Sequence, residues 1–487
     1  MSKSVIVVGT GNAALCAAIA ALEKGARVTL LEKADEALAG GNTKYTAGAM
    51  RFAYDGAEDL IPLLRDPNDP RLSTTDFGSY TTDKFGGDLL GFNDGRPLSE
   101  EQQTLVNMSL ETMGWLASHD VKFEPIYSRQ SFEKDGRHVF WGGLTLAAEN
   151  EGVGLFDMEL AAVERMGGTV RYNSAVTRLI MDGARVVGVR IGDEELHADA
   201  VILASGGFEA NEEMRIAHMG PNWKAARVRG TPHNTGDGLR MAEAAGAEPN
   251  GLYKGGHATP MDLHMADFGN LDLPPGERKN YRKICYFLGV MLNAKGERFV
   301  DEGINFRNYT YAQYGAAILE QPGQFAWQVF DSKVFDLLYG EYSFHDAHFV
   351  EADTLEALVA KMEGVEPKGA MATLTAYNAA VDTETPFDPT SLDGKGTTGL
   401  ALAKSNWAQT LDKGPFRAFP VTGGLTFTYG GVKVDDQGRV IGTDGAPISG
   451  LFACGEMVGG VFFAGYPGGS GLTSGAVFGR RAGNGAA

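Results

Sequence analysis

The sequence predicts an α/β protein in which a Rossmann-like domain, carried by residues 1–250 and 427–487, is interrupted by an α+β domain at 251–426. Three observations predict this. The chain opens on a strand, a glycine turn, a small-residue helix and a second strand that ends in an acid. A glycine-rich texture of the same kind returns near the C-terminus. Between them the composition shifts to many aromatics, several prolines and separate helical patterns near 311–321, 354–363 and 369–382.

The opening unit is the most specific. Val5-Ile6-Val7-Val8 is a β-branched run, followed by Gly9-Thr10-Gly11-Asn12-Ala13-Ala14, an Ala-rich stretch from Leu15 to Lys24, and Gly25 as a stop. A second strand, Val28-Thr29-Leu30-Leu31, ends at Glu32 and Lys33. This is the G-x-G-x-x-A form of a dinucleotide fingerprint, in the strand–turn–helix context it requires. Gly9 makes the tight turn, Gly11 lets the backbone approach a pyrophosphate, and Ala14 lets the helix pack closely on the strand. The helix N-terminus offers free N–H groups and positive dipole. Glu32 is placed to accept hydrogen bonds from a ribose diol. The competing reading is an ordinary βαβ crossover, but strand, spacing, helix and acid agree on a dinucleotide.

Further along, residues 40–50 form a short polar glycine-rich loop containing Gly41, Asn42, Thr43, Ala47 and Gly48, read as a cover over a ligand. Residues 60–100 look irregular and 101–119 helical. Apolar residues recur from Val170 to Ile191 around Asp182-Gly183, which predicts a β-hairpin. A buried strand over 199–204 ends at Ser205-Gly206-Gly207. Near the C-terminus a strand over 450–454 leads into Gly455-Glu456. Gly465-Tyr466-Pro467-Gly468-Gly469-Ser470-Gly471 follows, and then helical spacing from Leu472 to Ala482, with Arg480 and Arg481 complementing its dipole.

The 487 residues are enough for a large core in more than one packing unit. The formal net charge of −19 argues against nucleic acid and anionic membrane surfaces as partners. Cys16, Cys285 and Cys454 have neither haem nor iron–sulfur spacing, and no metal site is expected. No apolar run approaches the roughly 18–20 residues of a spanning helix and no signal peptide precedes Val5, so the expectation is a cytoplasmic protein.

Taken together, VGTGNAAL at 8–15, LLEK at 30–33, GGNTKYTAGAM at 40–50, ASGGF at 204–208, ACGEMVGG at 453–460 and PGGSGLTSGAVFGRRAG at 467–483 resemble the fumarate reductase/succinate dehydrogenase flavoprotein superfamily. The loop and the C-terminal segment look most similar to its tricarballylate dehydrogenase branch. The resemblance implies a glutathione-reductase-like FAD-binding domain with an inserted capping domain. It places FAD against Gly9, Gly11, Asn12, Ala13, Ala14, Glu32, Lys33, Gly41, Asn42, Thr43, Ala47, Gly48, Val176, Ala204, Ser205, Gly206, Gly455, Glu456, Ser470, Gly471 and Leu472. Covalent members carry a histidine after the glycine-rich loop; Asn42-Thr43-Lys44 has none, so noncovalent FAD is expected. With no second dinucleotide fingerprint and no haem or cluster ligands, electrons must pass to an external acceptor, a quinone or a redox protein.

The resemblance also implies a substrate enclosed by the cap, with hydride moving between flavin N5 and one carbon and a side chain moving a proton at the next. Asn293–Glu302 followed by Arg307 matches the segment that carries the family's catalytic arginine. Arg307 is therefore the candidate for proton transfer or carboxylate binding; its bland alternative is an ion pair with Asp301 or Glu302. Arg298 is read as supporting the fold. His257 stands where the family places a substrate-binding histidine, against the alternative of a histidine bonded inside a loop. Tyr466 replaces the carboxylate-binding arginine of fumarate reductases, and Phe427–Gly431 lacks their second histidine. Tyr466 is also similar to the tyrosine with which 3-ketosteroid dehydrogenases polarise a ketone; its alternative is a tyrosine packed on the flavin or cap. Arg278, Lys279, Arg282 and Lys283 either draw a polycarboxylate or form a solvated run. The family's glutamate–arginine proton relay is not recognisable where Arg282 and Cys285 fall. Three activities are expected in order: dehydrogenation of a polycarboxylate such as tricarballylate, desaturation of a cyclic ketone, and fumarate reduction. A flavin-binding sensor or electron carrier is the non-enzymatic alternative.

Overall fold

The computed structural model describes residues 2–274 and 276–487, without the side chains at 129, 267, 279 and 280. The chain divides into two compact units, Met1–Met219 with Gly230–Gly256 and Phe427–Ala487, and Gly220–Arg229 with His257–Thr426.

The first unit is built on a six-stranded sheet. Its centre is β1 (Ser4–Val8), paired in parallel with β2 (Arg27–Leu31) on one side and Ala200–Leu203 on the other, so that Val5 faces both Val28 and Ala200. Thr169–Arg171 extends it beyond β2, and Pro447–Ala453 extends it in parallel beyond Ala200–Leu203. Arg439–Ile441 closes that edge antiparallel. The near-continuous apolar runs of these strands fit a sheet buried on both faces.

α1 (Asn12–Glu23) crosses from β1 to β2 and packs against the C-terminal helix Ser470–Ala486. The contact rests on glycines four apart, which share one helix face. A Cβ on Gly479 would lie 2.4 Å from Ala13 O, and one on Gly483 would lie 2.2 Å from Ala17 O. The Ala-rich sequence of α1 and the glycine stripe of the last helix are thus the two halves of one close approach.

The hairpin expected around Asp182-Gly183 forms from Val176–Asp182 and Arg185–Ile191, and Glu194–His197 adds a third strand. The helix expected at 101–119 runs Glu100–Ser118, started by a reciprocal cap between Ser99 and Gln102. The irregular reading of 60–100 needs correction. A helix spans Thr82–Leu90, capped by the Thr81 side chain on Lys84 N, with Phe85 and Leu89 buried. Gly86-Gly87 in its middle lowers local helix propensity, and burial of one apolar face outweighs it.

The second unit carries a sheet ordered Arg227–Val228, Phe416–Val432, Ala326–Asp331, Val290–Leu292. Arg227 and Val228 pair in parallel with Gly424 and Leu425, so Gly220–Arg229 groups with this unit, whereas the sequence placed it with the N-terminal part. Helices form at Tyr311–Leu319, Leu355–Val359 and Pro367–Ala380. Leu374 and Tyr377 of the last of these pack with Leu292, Trp327, Val329 and Phe416 into one core.

Candidate active site

In the first unit the turn after β1 begins with Gly9, whose N–H reaches Leu31 O at 2.8 Å. Its φ of +113° and the 2.5 Å that would separate a Cβ from Ala204 O both demand glycine. Gly11 differs. It has ordinary extended backbone at the N-cap of α1, no side chain caps that helix, and a Cβ there would meet nothing nearer than Thr43 Oγ1 at 3.6 Å. Nor would a Cβ on Gly471, at the start of the C-terminal helix, meet anything nearer than 3.8 Å. The protein's own packing therefore leaves room at two helix N-termini. That room is a cradle an anionic dinucleotide fits.

The surrounding residues hold the cradle in shape. Asn12 N donates to Thr43 Oγ1 at 2.9 Å and Asn12 Nδ2 to Leu472 O at 2.8 Å, tying α1 to the turn Gly41–Tyr45 and to the last helix. Ala14 is fully buried, and Ala13 O faces the Cys454 thiol at 3.5 Å. A Cβ on Gly455 would come within 2.6 Å of Ala13 Cβ. Ser470 Oγ donates to Pro467 O at 2.6 Å. Ala204 N bonds Val8 O at 3.0 Å, Ser205 Oγ lies 3.6 Å from Met457 Sδ, and Gly206 has a φ of +73°. Gly48 O accepts from Ala148 N at 2.9 Å, and Ala47 beside it is half-buried.

Glu32 is buried and pinned at the end of β2, accepting from the Thr10 hydroxyl and from Ala34 N at 2.8 Å. Ser174 N donates to Glu32 O at 2.7 Å, and Val176, two residues on, opens the strand Val176–Asp182. The Lys33 ammonium is spent on Asp237 and Thr235, both at 2.7 Å.

Two carboxyl groups of this unit come together. Glu209 Oε1 accepts from Asn42 Nδ2 and Asn234 Nδ2, each at 2.6 Å, and Glu456 Oε1 accepts from Thr428 N at 2.6 Å and its hydroxyl at 2.9 Å. The carboxyl groups of Glu209 and Glu456 lie near enough for each to influence the other's titration. Neither forms an ion pair among the described residues. Burial raises both pKa values, and for Glu456 the adjacent Glu209 adds to the shift, so the pair retains a proton that isolated carboxylates would lose.

Tyr466 lies in the same unit and is buried. Its ring centroid is 5.3 Å from those of Phe427 and Phe462, at interplanar angles of 85° and 70°.

The second unit carries Arg307 and His257. Arg307 opens the turn Arg307–Tyr309, donates from Nε to the Tyr339 hydroxyl at 2.8 Å, and has its guanidinium carbon 4.7 Å from the Tyr339 ring centroid. The carboxylates that could have paired with it are engaged elsewhere. Glu302 takes Arg298 Nε at 3.1 Å and Met291 N at 2.8 Å, and Asp301 takes Gly303 N at 2.9 Å and Ser405 N at 3.0 Å. Arg307 thus has no ion-pair partner among the described residues. Burial works against its charge, yet Tyr339 and Cys285 outweigh that and hold its pKa above the ordinary value.

His257 is buried and meets Tyr311 edge-on at 5.0 Å, and Tyr311 lies four residues beyond Arg307. Burial first, and then Arg229, drives the His257 pKa well below its ordinary value, so the imidazole is neutral.

Among the described side chains of the basic run, Arg278, Arg282 and Lys283 are each engaged by the fold and not solvated. Arg278 is buried, with Nε on Leu273 O at 2.7 Å and Nη2 on Leu271 O at 2.6 Å. Arg282 pairs with Glu341. Lys283 is fully buried, bonded to Glu341 O at 2.9 Å and 3.8 Å from Asp262, and its pKa falls to about 8 through burial. The Lys279 side chain lies outside the described residues.

A family model described as FAD binding domain matches residues 4–472. The fumarate reductase (cytochrome) of Shewanella frigidimarina is 31% identical over 492 residues, 99% of this chain and 76% of its own length. The chain belongs to the fumarate reductase/succinate dehydrogenase flavoprotein superfamily. The 4-oxocyclohexanecarboxylate 2-dehydrogenase of Sinomonas cyclohexanicum is 28% identical over 95% of this flavoprotein and 89% of its own length. The open conformation of a flavocytochrome c3 fumarate reductase superposes over 100% of this chain and 78% of its own, with a TM-score of 0.71 at 26% identity. This flavoprotein therefore binds FAD and is an oxidoreductase acting on CH–CH groups.

Five side chains of this flavoprotein's sites went unmarked in the sequence: Glu209, Asn234, Thr428, Tyr339 and Glu341. Each meets its partner only through the fold. The one local signal was Glu209 directly after the matched ASGGF segment.

Proposed function

We propose that this flavoprotein is a dehydrogenase that forms a C=C bond in a polycarboxylate such as tricarballylate, with Arg307 as the group that grips a substrate carboxylate. The observation that carries this reading is a protonated guanidinium whose only hydrogen-bond partner among the described residues is the neutral Tyr339 hydroxyl at 2.8 Å. Its remaining N–H donors form a planar fork that matches a carboxylate in two parallel bonds. Permanent charge suits Arg307 to binding and orienting; use of the same group to move a proton needs a relay partner. Neutral His257 carries one N–H that can donate to a substrate carboxylate oxygen.

Bound FAD supplies the hydride acceptor. Gly11, Asn12, Glu32, Gly41, Asn42, Thr43 and Gly471 would hold it, and the absence of histidine at 42–44 favours noncovalent attachment. Electrons then leave to an external quinone or redox protein, and a cytoplasmic setting suits the three free cysteines. Among the described residues no helix is long and apolar enough to cross a membrane.

A second reading, desaturation of a cyclic ketone, is favoured by Tyr466. Its phenol sits among Phe427 and Phe462, aromatic surroundings suited to a hydrocarbon ring, and it can donate to a ketone oxygen. The Sinomonas relative is named for such a substrate. Anaerobic mixing of the oxidised protein with tricarballylate, succinate and cyclic ketones separates the two. Bleaching of the flavin band by polycarboxylates supports the first reading, and bleaching by cyclic ketones alone replaces it with the second.

A further inference from the structure

The segment Tyr339-Gly340-Glu341-Tyr342 carries no motif, yet it bonds Arg307, Arg282, Lys283 and Cys285 of the second unit. Tyr339 accepts from Arg307 Nε at 2.8 Å and donates its own N–H to Cys285 Sγ at 3.4 Å. Glu341 neutralises Arg282, and both are nearly buried. The Tyr342 hydroxyl accepts from Cys285 N at 2.8 Å and donates to Gln328 Oε1 at 2.6 Å. One short stretch therefore bonds Cys285 at both its N–H and its thiol, and the Arg307 guanidinium as well.

The division of charge within this stretch is specific. Arg282 receives a carboxylate, and Arg307 receives a phenol. A carboxylate would hold Arg307 as firmly but would cancel the charge a substrate anion needs. A phenol accepts one hydrogen bond, lays its ring against the guanidinium, and leaves the positive charge uncancelled. We infer that Tyr339 is the positioning residue of Arg307, orienting the guanidinium by a neutral contact so that its full charge is kept for a substrate carboxylate. This rests on the reading of Arg307 as the carboxylate-gripping group.

The test uses the FAD-loaded protein with tricarballylate, following both turnover and binding; binding is read from calorimetry and needs no turnover. Tyr339→Phe keeps the ring and removes the acceptor, so kcat falls roughly tenfold or more while binding moves little. Tyr339→Glu restores an acceptor but pairs the charge, so binding weakens roughly tenfold or more. Tyr339→Gln, an uncharged acceptor, recovers binding relative to Tyr339→Glu. Flavin content and Tm accompany every variant, and a variant that loses flavin is replaced by Tyr339→Gln as the reporter. A merely structural role would lower Phe, Glu and Gln variants together, with no split between kcat and binding; that result overturns the proposal. If Arg307→Ala abolishes binding while the Phe and Glu variants match wild type, the proposal alone fails. If Arg307→Ala leaves binding unchanged, the reading of Arg307 fails and the proposal with it.

Discussion

Glu302 accepts from Arg298 and not from Arg307. The Arg298–Glu302 side chains are almost wholly buried, and Glu302 also caps the Met291 N–H at 2.8 Å. The nearest acidic residue to Arg307 in sequence is thereby committed to the fold, and the arginine matched to the family's catalytic position keeps its charge. The first prediction follows directly. Arg298→Met should cost about 3–5 kcal/mol of stability by stranding a buried carboxylate. Arg307→Lys should leave the urea midpoint close to wild type, a contrast that chemical denaturation of both variants checks.

The two glycines of the fingerprint should separate folding from cofactor binding. Gly9→Ala meets Ala204 O at 2.5 Å from a φ of +113° and should destabilise the apoprotein by roughly 1–3 kcal/mol. Gly11→Ala meets nothing nearer than 3.6 Å, so apoprotein Tm should hold while FAD affinity drops. Thermal unfolding of the apoprotein and flavin titration read the two effects independently.

The Glu209–Glu456 pair makes stability depend on pH with a definite sign. Both carboxyl groups titrate above their ordinary value when folded, because burial disfavours their charge. Above about pH 4.3 the unfolded chain has released protons that the folded pair still holds. The stability contribution is therefore full below that pH and is lost as pH rises through the folded pKa. Glu209→Gln should flatten this decline in urea midpoints measured between pH 5 and 8.

His257 should not titrate near neutrality, since burial and then Arg229 lower its pKa. The kcat/KM profile should show no imidazole limb between pH 6 and 8, and His257→Gln should change its height and not its shape.

The opening unit was legible in the sequence because its determinants are local: β-branched strand, glycine turn, small-residue helix and terminal acid lie within one crossover. The role of Arg298 was legible too, four residues before Glu302 in the same segment. Tyr339 was not, since it reaches Arg307 across a loop with no periodicity or motif. Nor was the carboxyl pair, whose donors Asn42, Asn234 and Thr428 come from three distant segments. The Thr82–Leu90 helix was hidden by two glycines whose propensity cost is met by burial of Phe85 and Leu89. The basic run misled because charge in sequence does not report burial: Arg282 and Lys283 are satisfied by Glu341, more than fifty residues away.

Under the proposed function, Arg307 grips the carboxylate of a substrate oxidised across a CH–CH bond. Anaerobic stopped-flow mixing of the FAD-loaded protein with tricarballylate, following the flavin band, tests it most directly. Bleaching is expected in the wild type, with suppression of roughly a hundredfold or more in Arg307→Lys while FAD stays bound. Equal bleaching rates in wild type and Arg307→Lys would contradict it.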